Sequence, residues 1–253
     1  MTNIDALSWS DVKSSQVVRM AILPWGATEP HNLHLSYSTD NLLSRAVSLD
    51  AAAKAEAQGV QAVVLPAIPF GSQNPGQTDF PICIHMRVET QKAILYDVVS
   101  SLKRSGINKL LIMNGHGGNT FNGVVRDLAV DFPDFLIAIS DWYKVVDSRS
   151  FFTEPGDHAG ELETSMMLHY YPEYVKPKEV YGSGTTRQFT ISGLNKRLFW
   201  LPRNWQRVSD DTGIGNPQHA NAEKGKLFAD AVSTVVAEFI CDFANADPDK
   251  LYC

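Results

Sequence analysis

Lys109–Val130, KLLIMNGHGGNTFNGVVRDLAV, joins a short apolar run to a glycine-rich turn and then to a stretch of helical period. Lys109–Met113 reads as a strand, and Asn119–Val130 as the helix that follows it. One such unit predicts a parallel sheet, and the flanking sequence repeats the pattern. Toward the N-terminus, strands are expected at Val17–Leu23, stopped by Pro24, and at Ala62–Leu65. Helices are expected from Asp40 to Gly59 and over Glu89–Arg104, where Ile94, Leu95, Val98, Val99 and Leu102 mark an apolar stripe. Toward the C-terminus come a strand at Phe135–Ile139, a helix over Gly160–Tyr170 and a last helix over Ala220–Phe243. Lys176–Gly215 shows neither period nor linker composition and reads as a decorated loop. The expected fold class is α/β with a mostly parallel central sheet, residues 1–253 forming a single domain.

Composition narrows the function. The chain has 253 residues, 44% hydrophobic and 20% charged, with a net charge of -6. An acidic balance without a basic stripe disfavours nucleic acid and anionic membrane surfaces as partners. No segment has the length and apolarity of a signal peptide or a membrane span. Cys83, Cys241 and Cys253 are an odd count without metal-type spacing, so they read as reduced thiols and point to the cytoplasm.

Ligands in open α/β sheets bind beyond the carboxyl ends of the strands, and three chemically rich segments fall there. The first, Trp25–Asp40, is WGATEPHNLHLSYSTD, free of Lys and Arg. Glu29 and His31 sit two residues apart, on one side of an extended segment stiffened by Pro30. Carboxylate with imidazole suits a borderline divalent ion such as zinc, manganese or iron. Asp40 has two compatible roles, as the cap of the next helix and as a ligand able to bridge two ions. His34 fits a buried hydrogen-bonding role better than a ligand role. In the second segment, Asn114–Asn119, glycines present His116 at the crevice on a tight loop. A phosphate cradle is the lesser reading, because no Walker lysine is present. In the third, Asp157–Ser165, His158 is a candidate proton shuttle held by Asp157. Glu161 and Glu163 cannot share a helix face and should have different jobs. Trp142, Tyr143, Phe151 and Phe152 are candidate pocket walls, although loop aromatics are more often packing.

In their order and spacing, GATEPHNLHLSYSTD, MNGHGGN, HAGELETSMML followed by YPEYV, and GNPQHANAEKG resemble the creatininase family, the creatinine amidohydrolases, over nearly the whole chain. The resemblance implies a three-layer α/β/α domain, a homohexamer, and a two-metal site that hydrolyses a non-peptide carbon–nitrogen bond of a small amide. It implies Glu29, His31, Asp40 and His116 as metal ligands, with Asp40 bridging, and His158 as the proton-transfer residue. Zn2+ is the first expectation for both ions, with Mn2+ or Fe2+ as alternatives. Creatininase itself has a tyrosine and a metal-binding glutamate where this chain has Gly117 and Gly118. It also has an apolar residue at the position of Glu161. The expectation is therefore that Glu161 replaces the missing ligand and Glu163 supports the site, with the reverse as the alternative. A pocket tryptophan is replaced near Glu154, so creatinine itself is a poor fit. A binding protein with a degenerate site, kept open by Gly118, is the rival to an enzyme.

Overall fold

The computed structural model describes residues 2–13 and 18–252. Val17, the expected start of the first strand, and Cys253 lie outside them. Among the described residues, β1 (Met20–Trp25), β2 (Ala62–Val64), β3 (Lys109–Asn114) and β4 (Leu136–Asp141) form one parallel sheet in the order β2-β1-β3-β4. The helices are α1 (Trp9–Lys13), α2 (Thr39–Ala57), α3 (Val88–Arg104), α4 (Asn122–Asp131), α5 (Glu161–Tyr170), α6 (Ser192–Asn195), α7 (Trp205–Val208) and α8 (Ala222–Asn245). Lys176–Gly215 contains only short helical turns between extended pieces, as its lack of period implied.

Alternation along the strands divides the core between two faces. Met20 and Ile22 of β1 join Leu111 and Met113 of β3 against α2, α5 and α8. Ala21, Leu23 and Trp25 join Leu110 and Ile112 against α3 and α4. This makes the α/β/α layering. The apolar runs are continuous because both faces are covered, and each fully buried Leu, Ile or Met side chain contributes about 1.5–3 kcal/mol of burial free energy. Phe228, Val232, Val236 and Ile240, four residues apart, are the buried face of α8.

Pro24 does not stop β1; it lies inside it. Its carbonyl accepts from Ile68 N on the β2 side, so its missing N–H faces the same edge. There β2 has already ended at Val64, and no ladder bond is lost. Gly59 and Gly106 follow α2 and α3 with positive φ, as expected of helix stops. No helix among the described residues is long and apolar enough to cross a membrane.

Candidate metal centre

Strand register assembles the site. Trp25 pairs with Asn114, and Asn114 pairs with Asp141, so β1, β3 and β4 end level and the loops leaving them converge. The start of α2 is drawn onto these ends through two glycines. A Cβ at Gly26 would lie 2.6 Å from Asn41 N, and one at Gly115 would lie 2.6 Å from Asp40 O. Asp40 consequently points into the crevice, and its carboxylate does not serve as the α2 cap. The His116 loop is held by a buried amide network. Asn114 Nδ2 donates to the His116 carbonyl, Asn114 Oδ1 accepts from His116 N, and Asn119 Nδ2 donates to Asn114 Oδ1.

Three histidines enter this crevice, each with one ring nitrogen against a main-chain carbonyl. His31 Nδ1 is 3.1 Å from Glu29 O, His116 Nε2 is 2.8 Å from Ser72 O, and His158 Nε2 is 2.9 Å from Pro30 O. A carbonyl only accepts, so those nitrogens carry the proton. The second nitrogen of each ring faces carboxylates. His31 Nε2 is 3.0 Å from Asp40 Oδ1, and His116 Nδ1 is 3.0 Å from Glu29 Oε1 and 3.2 Å from Asp40 Oδ2. His158 Nδ1 is 3.7 Å from Glu29 Oε1. In neutral rings these are lone pairs pointing at acceptors, and Asp40 Oδ2 is buried with no hydrogen bond. Such a set is at rest only with a cation among it, either extra protons or metal ions.

The charge balance agrees. Burial opposes charge on His31, but Asp40 raises it to about 10. Burial is likewise overcome at His116, which Glu29 and Asp40 hold well above its ordinary range. Glu29 and Asp40 remain below the usual carboxylate range despite burial, through His116 and His31 respectively. Burial pushes Glu163 up to about 7, with the charge on Asp40 adding to it against the pull of His31. Burial and the neighbouring charge on His31 lower His158, keeping it neutral. The donors fall into overlapping groups within 4.8 Å: Glu29, Asp40 and His116; His31, Asp40 and Glu163; and Glu29, His31 and His158. Glu29, His31 and Asp40 each belong to two of them.

Two expectations fail on geometry. Glu161 does not face the crevice: its carboxylate accepts from Lys224 Nζ and from Glu154 N at 2.8 Å. Glu163 faces it instead, with Oε2 accepting from Ala159 N. Nor does Asp157 hold His158, since it pairs with Arg203 at 2.7 Å. The His158 ring is set by Pro30 O, by His31 at 4.1 Å between centroids and by the edge of Trp205 at 5.2 Å.

Tyr143 lines the cavity, about 50 Å³ in volume, together with Glu29, Asp40, His116, His158 and Glu163. Trp142, Phe151 and Phe152 pack in the core around Phe228. His34 bonds Thr164 Oγ1 at 2.9 Å and stacks on Tyr181, as a structural histidine does. Burial pushes the Cys83 thiol up to about 12, which removes it as a nucleophile. Gln77 was not foreseen. It is buried, and its amide donates to Glu29 Oε2. Nothing in a loop without periodicity marks that residue. At Gly118 a Cβ would lie 2.1 Å from Ser72 O and 2.4 Å from His116 Nε2. The carbonyl that fixes the His116 tautomer thus takes the space of a side chain at 118.

A parallel α/β fold with a buried, cation-demanding carboxylate–imidazole centre at its strand ends defines the class of protein. The chain belongs to the creatininase family, whose creatinine amidohydrolase model matches residues 5–240. It is 28% identical to creatinine amidohydrolase of Pseudomonas putida, over 94% of this chain and 95% of that one. It is also 28% identical to the mycofactocin precursor peptide peptidase of Mycobacterium ulcerans, over 85% and 82% of the two chains. Among solved structures, a putative creatinine amidohydrolase from Bacteroides fragilis is 45% identical with a TM-score of 0.95, covering 99% of this chain and 98% of that one. Creatininase with manganese has the same fold, with a TM-score of 0.75 at 22% identity over 94% and 97%.

Proposed function

We propose that this chain is a dinuclear metal-dependent amidohydrolase that cleaves a non-peptide carbon–nitrogen bond of a small amide. The observation that carries this reading is the convergence of imidazole lone pairs and carboxylate oxygens on Asp40, whose two oxygens face different histidines. Glu29, Asp40 and His116 would hold one ion, and His31, Asp40 and Glu163 the other. Bound divalent ions, zinc first and manganese or iron as alternatives, lower the pKa of water toward neutrality and polarise an amide carbonyl. With Glu163 in the second group, the absence of a carboxylate at Gly118 no longer favours a degenerate binding protein.

His158 is the proton carrier in this reading. Its Nε2–H is committed to Pro30 O, and Nδ1 is the free base facing the cavity. Nδ1 can take the proton released as water attacks the amide carbon, then deliver it to the leaving nitrogen. Neutrality of the buried ring is what this task requires. Gln77 holds one oxygen of Glu29 and leaves the other to the centre. Asp157, tied to Arg203, serves the wall of the cavity. The free thiols of Cys83 and Cys241 fit a cytoplasmic protein, and a homohexamer is inferred from the resemblance to creatininases alone. Light scattering of the purified protein tests the latter.

The reading is tested by metal analysis of the zinc- and manganese-loaded protein together with turnover on a panel of lactams, formamides and short acylamides. Two ions per chain and hydrolysis of at least one member are expected. One ion or none, with no turnover, would return the chain to the binding-protein reading.

A further inference from the structure

A groove of about 590 Å³ opens beside the metal cavity, and Asp157 lines both. The cavity, at about 50 Å³, takes little more than water and a scissile group, so the body of a substrate has to lie outside it. The groove is built into the site. His158 N donates to Ile214 O and Ile214 N to His158 O, joining the groove wall to the proton carrier. Asn32, directly after His31, exchanges side-chain hydrogen bonds with Gly182, while Thr212 Oγ1 accepts from Asn32 N. The floor is main chain: Gly156, Gly184 and Gly215 have φ of 80°, 62° and 118°, and a Cβ at Gly215 would lie 2.4 Å from Gly156 Cα.

The lining names the chemistry. Ile214 is its one hydrophobic side chain, against the hydroxyls of Ser183, Thr185 and Thr186. Arg203 neutralises Asp157. Glu154 and Arg197 line the groove too, and neither has an ion-pair partner among the described residues. Arg197 follows the end of α6, where its left-handed backbone, φ 57°, closes the helix through Leu198 N on Gly193 O.

We propose that this groove holds the part of the substrate that is not hydrolysed and selects a polar amide of mixed charge, with an anionic group at Arg197 and an amino group at Glu154. The proposal rests on the reading of the neighbouring cavity as the reactive centre. An amide of one charge would pair with only one of Glu154 and Arg197, whereas one carrying both signs pairs with each.

Isothermal titration of the manganese-loaded protein with four matched probes tests it: triglycine, N-acetyltriglycine, triglycinamide and N-acetyltriglycinamide. Extended triglycine spans roughly 10 Å, enough to separate its two charges along a groove. Triglycine should bind tightest, about tenfold above the neutral probe, with the gap narrowing in high salt. Arg197→Met should weaken only the two carboxylate-bearing probes, and Glu154→Gln only the two amine-bearing ones. Chelation of metal by a probe would ignore both substitutions. Equal affinities, no binding by any probe, or losses uniform across the four would overturn the proposal. Metal content measured on the same samples separates the two readings: ions bound without charge preference sink the groove, and charge preference without ions sinks the metal centre.

Discussion

Glu161 and Glu163 leave the same first turn of α5 and end in opposite surroundings. Two residues on a helix are about 200° apart, so the turn that aims one carboxylate at the crevice aims the other away. Glu163 meets His31 and Asp40, while Glu161 meets Lys224 and the Glu154 amide. One sits among the donors of the candidate metal centre, and the other is paired with an ammonium. A buried carboxylate near a candidate metal centre is thus assigned by its partner, and the same residue type can face such a centre or brace the architecture within one turn.

The largest effect should come from Asp40, the residue common to the two groups assigned to the ions. Asp40→Ala is expected to lose both ions and all measurable turnover, because each group loses a carboxylate at once; plasma emission analysis and the amide panel check this. Retention of even one ion at wild-type affinity would break the shared-ligand account. Next, His158→Ala should keep both ions and slow turnover by about 100–10,000-fold, the usual share of a positioned acid–base group. Loss of metal in this variant would move His158 into the ligand set. A smaller effect is expected from Gln77→Ala, which frees one oxygen of Glu29 without removing a donor. Metal affinity or turnover should fall by about 10–100-fold, measured by competition with a chelator.

Glu161→Gln sharpens the contrast from the other side, since it should touch stability and leave chemistry alone. Burial opposes charge on Glu161, but the Glu154 amide and the Lys224 ammonium outweigh it and hold the carboxyl below its ordinary range. Its stabilisation is therefore complete above the unfolded glutamate pKa of about 4.3 and is lost as pH falls through the lower folded value. At pH 7 the variant should be less stable by about 1–3 kcal/mol, since Lys224 is only partly able to recover its partner from water. The gap in Tm between wild type and variant should close as pH falls through that lower folded value. A gap that persists in acid would mean that Glu161 acts through packing and not through its charge.

What was legible in the sequence follows from range. β1, β3 and the helices between them are local in cause, because apolar runs and stripes record burial residue by residue. Glu29, His31 and His116 were readable as rim residues because strands in such a sheet end on one side. Pro24 misled because its cost depends on whether a neighbour strand still runs beside it, which is a fact about Val64 and Ile68. Asp157 was paired with its sequence neighbour His158, whereas its partner, Arg203, lies in the irregular wall. The choice between Glu161 and Glu163 turned on how α5 rotates against α8, where Lys224 waits 63 positions away.

Glu163, and not Glu161, is proposed to complete the second metal group. The most direct test is metal stoichiometry of Glu163→Gln and Glu161→Gln side by side after equal loading with zinc and removal of excess ion. The account predicts one ion per chain in Glu163→Gln, the one held by Glu29, Asp40 and His116, and two in Glu161→Gln. Two ions in Glu163→Gln with one in Glu161→Gln would contradict it.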